Sequence, residues 1–478
     1  METLQRTANR GSVSTGYDID NSCKFEAIES ESLIRTPSSA TNRRTFTISF
    51  WIKLNEIKAN NVPLEVFQDG SNFFLLNFGS DGKFTIYNVI GGTDYGKVTE
   101  RLFRDTSAWY HFAIIFDTTD STATDRFKLY VNGLRQTEFS TDYGDFPLNY
   151  ETLVNTTNPH NIGFRDDNDA FSSYYLAEYH FIDGTAKAHT DFGEFDSDSG
   201  NWIPKEYDGS YGTNGFYLDF KDGANLGHDK VAGGNSNDFT ESNLTAADQA
   251  TDTPTNNFCI LNNNFIGYYY RTAFYGGTYI NMNGINQYGA YTGTFGLRKG
   301  KWYYETFIDM RDSTYGLTVL VGIHTLQGNY HDTNFMVDAT GQNSTAAYEM
   351  HGGNYYSWDS GSRVVDSNPA GLGSAQVGQF VGIALNLDDN QISFTVNGSA
   401  ISNASNLALN DAADDIAAGV FALPAFSVYT NNHTVNFGGY TKATISSAQS
   451  DANGYGAFEF APPSGYYAIC TKNLAEYG

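Results

Sequence analysis

The stretch FVGIALNLDDNQISFTVNGSA, residues 380–400, decides the fold. Val381, Ile383, Leu385 and Leu387 recur at every second position, with Gly382, Ala384 and Asn386 between them, which is the period of a strand with one face buried. Asp388, Asp389 and Asn390 then supply turn chemistry. The chain returns through Ile392, Phe394 and Val396, alternating with Ser393 and Thr395, until Asn397-Gly398 turns it again. Earlier, AWYHFAIIFD (residues 108–117) is an apolar strand closed by an aspartate, and DRFKLYVNG sets Phe127, Leu129 and Val131 on one face before Asn132-Gly133 turns. One meander is written twice. The chain is therefore expected to be all-β, two tandem antiparallel β-sandwiches of the jelly-roll kind, each built around one meander.

Bulk properties agree. A chain of 478 residues exceeds one ordinary core, and 48 Gly, 33 Tyr and 35 Phe against 5 Met suit short strands and tight turns better than helices. The 54 acidic and 28 basic residues leave a net charge of −26, which repels phosphate backbones and anionic lipid, so nucleic acid and membrane are not expected partners. Cys23, Cys259 and Cys470 are too few for a disulfide scaffold. Cys259 and Cys470 lie where first and last strands of a second sandwich would meet, so a bridge is conceivable, although buried thiols are the expectation. The opening METLQRTANRGSVSTGYD lacks the apolar core of a signal peptide, and no run reaches the roughly 20 apolar residues of a spanning helix. Synthesis in a cytoplasm without secretory export is expected.

Along the chain, TFTISFWIKL places Phe46, Ile48, Phe50, Ile52 and Leu54 on one face, and further strands follow at Phe73, Gly82 and Tyr174. GFYLDF, with Phe216, Leu218 and Phe220 alternating, is expected to close the first sandwich. Residues 1–225 are read as that sandwich, 226–255 as a polar interdomain linker rich in Gly, Asp, Asn and Ser and expected to be packed rather than loose, and 256–478 as the second sandwich. Only NDAADDIAA suggests a helix, of at most two turns.

These residues carry resemblances. The first half, with SFWIKL, WYHFAIIFD and FKLYVNG, resembles the laminin G-like branch of the concanavalin A-like sandwiches. The second half, with KWYYE at Lys301, VGI at Val321, VGIALNLDDNQISFTVNG and the closing APPSGYYAICTKNL, resembles a SPRY domain. The joined arrangement, with LAEYHFIDGTA, FGEFDSDSGNWIPKEYDGSYGTNGFYLDF and NDFTESNLTAADQATDTPTNNF, is similar to virion structural proteins of marine tailed bacteriophages. That resemblance implies a noncatalytic place in the virion as a tail fibre, spike or capsid appendage, with other virion proteins and host-surface glycans as partners. It also implies a homo-oligomer, commonly a trimer in such appendages, although no heptad run encodes one. A cellular adhesin or SPRY-type protein-binding module is the alternative without a particle.

Four constellations could carry chemistry. Jelly-roll glucanases set two acids at alternate positions of a strand, and Glu194-Phe195-Asp196-Ser197-Asp198 is the nearest match, though its DSDSG context belongs to a turn. Calcium, the one conceivable cofactor, would be held by Asp166, Asp167 and Asp169, with Asp388-Asp389-Asn390 as a second candidate; Asp and Asn also cap turns for local reasons. His111, His180 and His324 fall in strand patterns and read as structural histidines. For a sugar, the need is an exposed ring beside amides or carboxylates, and Asn354, Tyr355, Tyr356 and Trp358, flanked by glycines, are expected in a loop that could serve; packing between sheets is the competing reading.

Overall fold

The computed structural model describes residues 16–231, 237–266, 273–282, 288–310, 318–325, 345–350, 353–360, 362–366 and 377–478. The chain divides after Asn256 into two compact units, both of layered antiparallel sheets.

In the first unit, one sheet orders the strands Leu134–Arg135, Phe127–Val131, Tyr110–Asp117, Thr45–Leu54, Tyr174–Asp183, Ser22–Phe25 and Gln249–Ala250, and Phe216–Leu218 also pairs with Tyr174–Asp183. The second sheet runs Phe139–Asp142, Thr93–Leu102, Lys83–Ile90, Asn72–Phe78, Asn61–Asp69, His160–Ile162, Ser32–Arg35 and Thr240–Ser242. Between them lies an aromatic core. Phe46, Ile48, Phe50, Ile52 and Leu54 enter it from one side and Leu64, Val66, Phe74, Leu76 and Phe78 from the other, with Phe46 stacked on Phe116 at 4.7 Å. Alternation thus does what the sequence implies: it assigns one row per strand to the interior.

Asn132 and Gly133 take φ of 48° and 75°, and Asn397 and Gly398 take 45° and 73°. Both hairpins need two consecutive left-handed residues between paired strands, the geometry that matches strand twist and that Asn-Gly adopts at least cost. The repeated meander is real at the level of its turns.

The first unit departs from expectation at its end. The segment read as a linker is woven into the sandwich: Thr240–Ser242 extends one sheet beside Ser32–Arg35, Gln249–Ala250 extends the other beside Ser22–Phe25, and Leu226, Phe239 and Leu244 lie in the core. The physical reason is two buried cations. Lys24 and Lys53, 1% and 0% exposed, sit in otherwise apolar strands and require carboxylates, and Asp248 and Asp252 reach them at 2.7 Å each. Glu31 joins Lys24 at 2.8 Å, and Trp109 donates Nε1–H to Asp252 Oδ1 at 3.0 Å.

The second unit sets the strands Leu261–Ile266, Tyr288–Gly293, Ala422–Tyr429, Thr318–Thr325, Thr345–Glu349, Tyr355–Asp359 and Ser362–Asp366 against a sheet of Tyr279–Asn281, Asn432–Asn436, Lys301–Met310, Phe380–Asn386, Gln391–Val396 and Ser399–Ala400. Val381, Ile383, Leu385 and Leu387 face the core with Trp302, Tyr304 and Phe426. The other face of Phe380–Asn386 is buried too, contrary to the one-faced reading. Ala384 and Tyr303 are covered by Phe258, Phe458, Ala468 and Cys470, so the C-terminal chain forms an outer layer. Helices are short, at Asp411–Ala417 as expected and at Thr471–Tyr477, which the sequence reading did not anticipate.

Cys259 donates its backbone N–H to Ile469 O, and Phe258 pairs with Cys470, so the two ends do meet. Their thiols do not. Cys259 belongs to the inter-sheet core and Cys470 to the outer cluster, on opposite faces of the paired strands, and both are free and buried, as is Cys23.

Candidate functional site

The aromatic stretch expected in a loop is a strand, Tyr355–Asp359, and alternation disperses its rings. Tyr355 points into the core, 3% exposed, and donates to Ala408 O at 2.7 Å. Trp358 is 1% exposed, its Nε1–H buried without an acceptor. Only Tyr356 is half-exposed. Its hydroxyl and the Asn354 amide converge on Glu349 Oε2 at 2.8 and 2.9 Å, the Arg363 guanidinium lies 5.6 Å from its ring centre, and burial beside Glu349 pushes the phenol up to about 12. The expected platform is therefore corrected to one ring on a sheet face, because successive strand side chains point to opposite sides and both sides are covered at Tyr355 and Trp358.

Asp166 and Asp169 stand at the exposed ends of a single 3-10 turn, Asp166–Asn168, with Asp169 at φ 50° closing it by a backbone bond to Asp166 O; the Asp167 side chain lies outside the described residues. Among the described residues no three His, Cys, Asp or Glu side chains gather as a metal site. Asp388 and Asp389 are engaged locally: Asp388 accepts from Gly300 N at 2.8 Å and Asp389 from Asn386 Nδ2 at 2.8 Å. Glu194 and Asp196 lie on a small hairpin, Gly193–Phe195 with Trp202–Pro204. Asp196 is half-exposed and caps the turn by accepting from Ser199 N at 2.6 Å and Asp198 N at 3.0 Å, bonds that hold its carboxyl below the usual range.

The histidines are bonded into sheets. Trp202 Nε1–H, which can only donate, reaches His111 Nδ1 at 3.0 Å, so His111 carries its proton on Nε2 and donates it to Ser49 Oγ at 2.9 Å. Burial pushes His111 down to about 3. This neutral tautomer cannot take a proton from Ser49, so the pair is not a nucleophile and its base. His180 bonds Tyr211 through Nδ1 at 2.9 Å and stacks on Tyr217 at 4.3 Å, and His324 bonds Thr345 at 3.2 Å.

The cavity that does present convergent polar groups was not anticipated. It is a cleft of about 630 Å³ in the first sandwich, where Ser32–Arg35 meets Thr240–Ser242, lined by Ile34, Arg35, Thr36, Ser38, Asn237, Asp238 and Thr240. Its framework is fixed by hydrogen bonds. Arg35 Nη1 donates to Asn214 O at 3.1 Å and Nη2 to Asn237 Oδ1; Asn237 Nδ2 donates to Thr213 O at 3.0 Å and Gly215 O at 2.8 Å; and Asn237 N donates to Asp229 Oδ2 at 3.1 Å. Asp238 accepts from Asp229 N at 2.8 Å and lies 3.2 Å from His228 Nδ1. Thr36, Ser38 and Thr240 leave hydroxyl-bearing side chains exposed at the rim. The two halves of this site lie some 200 residues apart, one of them in the segment that read as a linker, so no local motif marks it.

Comparisons with known proteins set this geometry in context. The SPRY domain of human HERC1 is 18% identical, covering 33% of this chain and 87% of its own, with a TM-score of 0.25. A heptameric SAP-like pentraxin from Limulus polyphemus is 15% identical, covering 36% and 80%, at 0.25, and mouse laminin alpha1 domains LG4-5 are 9% identical, covering 96% and 89%, at 0.29. No curated protein matches the chain. Residues 29–190 match the concanavalin A-like lectin/glucanases superfamily in its laminin G branch and residues 301–440 match the SPRY domain, so the chain carries a laminin G-like module followed by a SPRY module.

Proposed function

We propose that the chain is a noncatalytic recognition protein of a bacteriophage particle, an appendage whose first sandwich binds a surface glycan in the cleft between Ser32–Arg35 and Thr240–Ser242. One observation carries the reading: a concave site already shaped by side chain-to-backbone hydrogen bonds, with amide, guanidinium, hydroxyl and carboxylate groups at one mouth. Such groups match sugar hydroxyls, and preformed geometry lowers the ordering cost of binding. Asp238 is the single acid among the described residues lining the cleft, whereas glycoside cleavage calls for two opposed carboxyl groups. The particle assignment is supported by the resemblance of the long polar phrases around residues 175–257. Repetition along an appendage would turn weak single-site contacts into firm attachment.

Glycan-array binding of the whole chain tests the first part, with Ser38→Trp, which fills the cleft from an exposed position, expected to abolish it. Appearance of new reducing ends on incubation with a bound polysaccharide would overturn the noncatalytic reading. Mass spectrometry of purified particles tests the second part, and particles lacking the chain would refute it.

A further inference from the structure

Arg35 is unlike the other buried cations of its sandwich. Lys24, Lys53 and Lys97 each hold a carboxylate at 2.6–2.8 Å. Arg35 is half-buried, and among the described residues its hydrogen bonds all go to neutral oxygens: Asn214 O, Asn214 Oδ1 at 3.5 Å and Asn237 Oδ1. A guanidinium carries five N–H protons, so three bonds leave two without an acceptor among the described residues. Among the described residues no carboxylate within 4.0 Å balances the charge.

Two acids act on Arg35 from farther away, Asp229 and Asp183, and both are committed elsewhere. Asp229 accepts from Tyr217 N at 3.0 Å, Val231 N at 3.1 Å and Asn237 N at 3.1 Å; Asp183 accepts from Asn155 Nδ2 at 2.9 Å and Asn214 N at 3.0 Å. These acids hold the loops that hold the guanidinium. Desolvation therefore outweighs their attraction and draws the Arg35 pKa down from its ordinary value. A cation that is partly stripped of water, rigidly aimed and short of a counter-ion lines a cleft with hydroxyl groups beside it.

We propose that the cleft takes the carboxylate of an acidic sugar of the uronic acid class, with Arg35 pairing the carboxylate and the exposed Thr36, Ser38 and Thr240 meeting the ring hydroxyls. The inference rests on the cleft being the glycan site. A planar carboxylate uses N–H donors that no protein group satisfies, and an ionised acceptor makes a stronger bond to guanidinium than a neutral one. Asp238 is the opposing charge within the cleft, and its Oδ1 is held by Asp229 N at 2.8 Å and lies 3.2 Å from His228 Nδ1; acidic groups beyond about 8–10 Å are screened at physiological salt.

The test compares glucuronate, its methyl ester and glucose on the whole chain by ligand-observed NMR titration. Glucuronate is expected to bind about tenfold or more tightly than the ester, the factor a charged hydrogen bond adds over a neutral one. Arg35→Gln is expected to bring glucuronate down to the affinity of the ester while leaving the ester within about twofold, and Ser38→Trp to remove all three. Equal affinities for acid and ester overturn the acidic-sugar inference and leave the cleft as a neutral-sugar site. Binding that survives Ser38→Trp, or the absence of binding by any of the three sugars, overturns the cleft reading itself. The acid-against-ester comparison needs no variant, so a failure of Arg35→Gln to fold does not obscure the outcome.

Discussion

Replacing Asp252 by Ala perturbs the anchor of the segment that the sequence presents as a spacer. The Asp252 carboxylate is 2.7 Å from Lys53 Nζ, takes the Trp109 indole N–H at 3.0 Å, and sits with Lys53 at 0–1% side-chain exposure. Removing one member of a buried pair leaves the other charge without the group that justified its burial, which costs about 3–5 kcal/mol. For a unit of about 250 residues this corresponds to roughly 6–20 °C in melting temperature. Urea unfolding of the full chain, followed by tryptophan fluorescence, is the assay, because Trp109 reports on the perturbed site. Replacing both partners with apolar side chains, Lys53→Met with Asp252→Leu, should recover most of the loss, since no buried charge remains. Added salt should change neither result, because the pair lies away from solvent ions. A cost below about 1 kcal/mol for Asp252→Ala, or a double variant no better than the single, would refute the reasoning and return residues 237–256 to the role of a tether.

Glu305, fully buried, accepts from Tyr303 OH, Asn436 Nδ2 and the N–H groups of Glu459 and Phe460, yet burial still lifts its carboxyl to about 7. The folded state therefore binds the proton more tightly than the unfolded chain at about 4.5, so stability of the second unit should be greatest below pH 4.5 from this group and fall by on the order of 3 kcal/mol as pH rises through 7; Glu305→Gln should flatten that slope in pH-dependent melts, and an unchanged slope would rule the group out. Gly322→Ala should cost about 3 kcal/mol or prevent folding, because its Cβ would fall 2.0 Å from Ala346 O and 2.9 Å from Ala347 Cα, backbone atoms of the neighbouring strand; soluble, wild-type-like melting would contradict it. Glu178 sits at a bulge with φ 50°, bonded by Tyr17 at 3.0 Å and Tyr217 at 2.7 Å; both Ala and Gly variants should be destabilised, with Gly better than Ala by about 1 kcal/mol because only Ala retains the left-handed strain. All three thiols should resist Ellman's reagent in the native chain and titrate fully in denaturant, and rapid native labelling of any of them would be at odds with their burial.

The inward rows were legible because a period of two needs no knowledge of partners: Phe46 through Leu54 and Val381 through Leu387 announce their cores alone. Asn132-Gly133 and Asn397-Gly398 were legible for the same reason, since their conformation is a local property. The outer faces were not. Ala384 and Trp51 are buried by chain that arrives from elsewhere, and no periodicity records that arrival. Lys24 and Lys53 did leave a signal, a lysine inside an apolar strand, but the answering Asp248 and Asp252 lie some 200 residues on in a stretch whose composition matches a linker. Tyr355 and Trp358 failed as an exposed platform because flanking glycines resemble loop punctuation, while the residues between them pair as a strand. Thr471–Tyr477 is too short for a helical period to show.

The nonlocal contacts also build the cleft in which recognition is proposed. A sandwich whose outer faces are covered by its own connectors offers fewer open loops than the bare architecture suggests, and contact moves to the places where a late strand is laid against an early one. The Arg35 cleft is such a place: Thr240–Ser242 is added beside Ser32–Arg35, and the same segment continues to Asp248 and Asp252, which lock onto Lys24 and Lys53. The wall of the cleft and its foundation are thus one short piece of chain, with Asn237 bound at one end and Asp252 at the other. If the proposed ligand occupies the cleft it bears on the last-added strand, so its binding energy would stabilise the association of residues 237–256 with the sandwich, and loss of the anchors would lower affinity through the fraction of molecules in which that wall is seated. On the proposed reading the buried ion pairs would serve binding without touching the ligand, a role beyond stability.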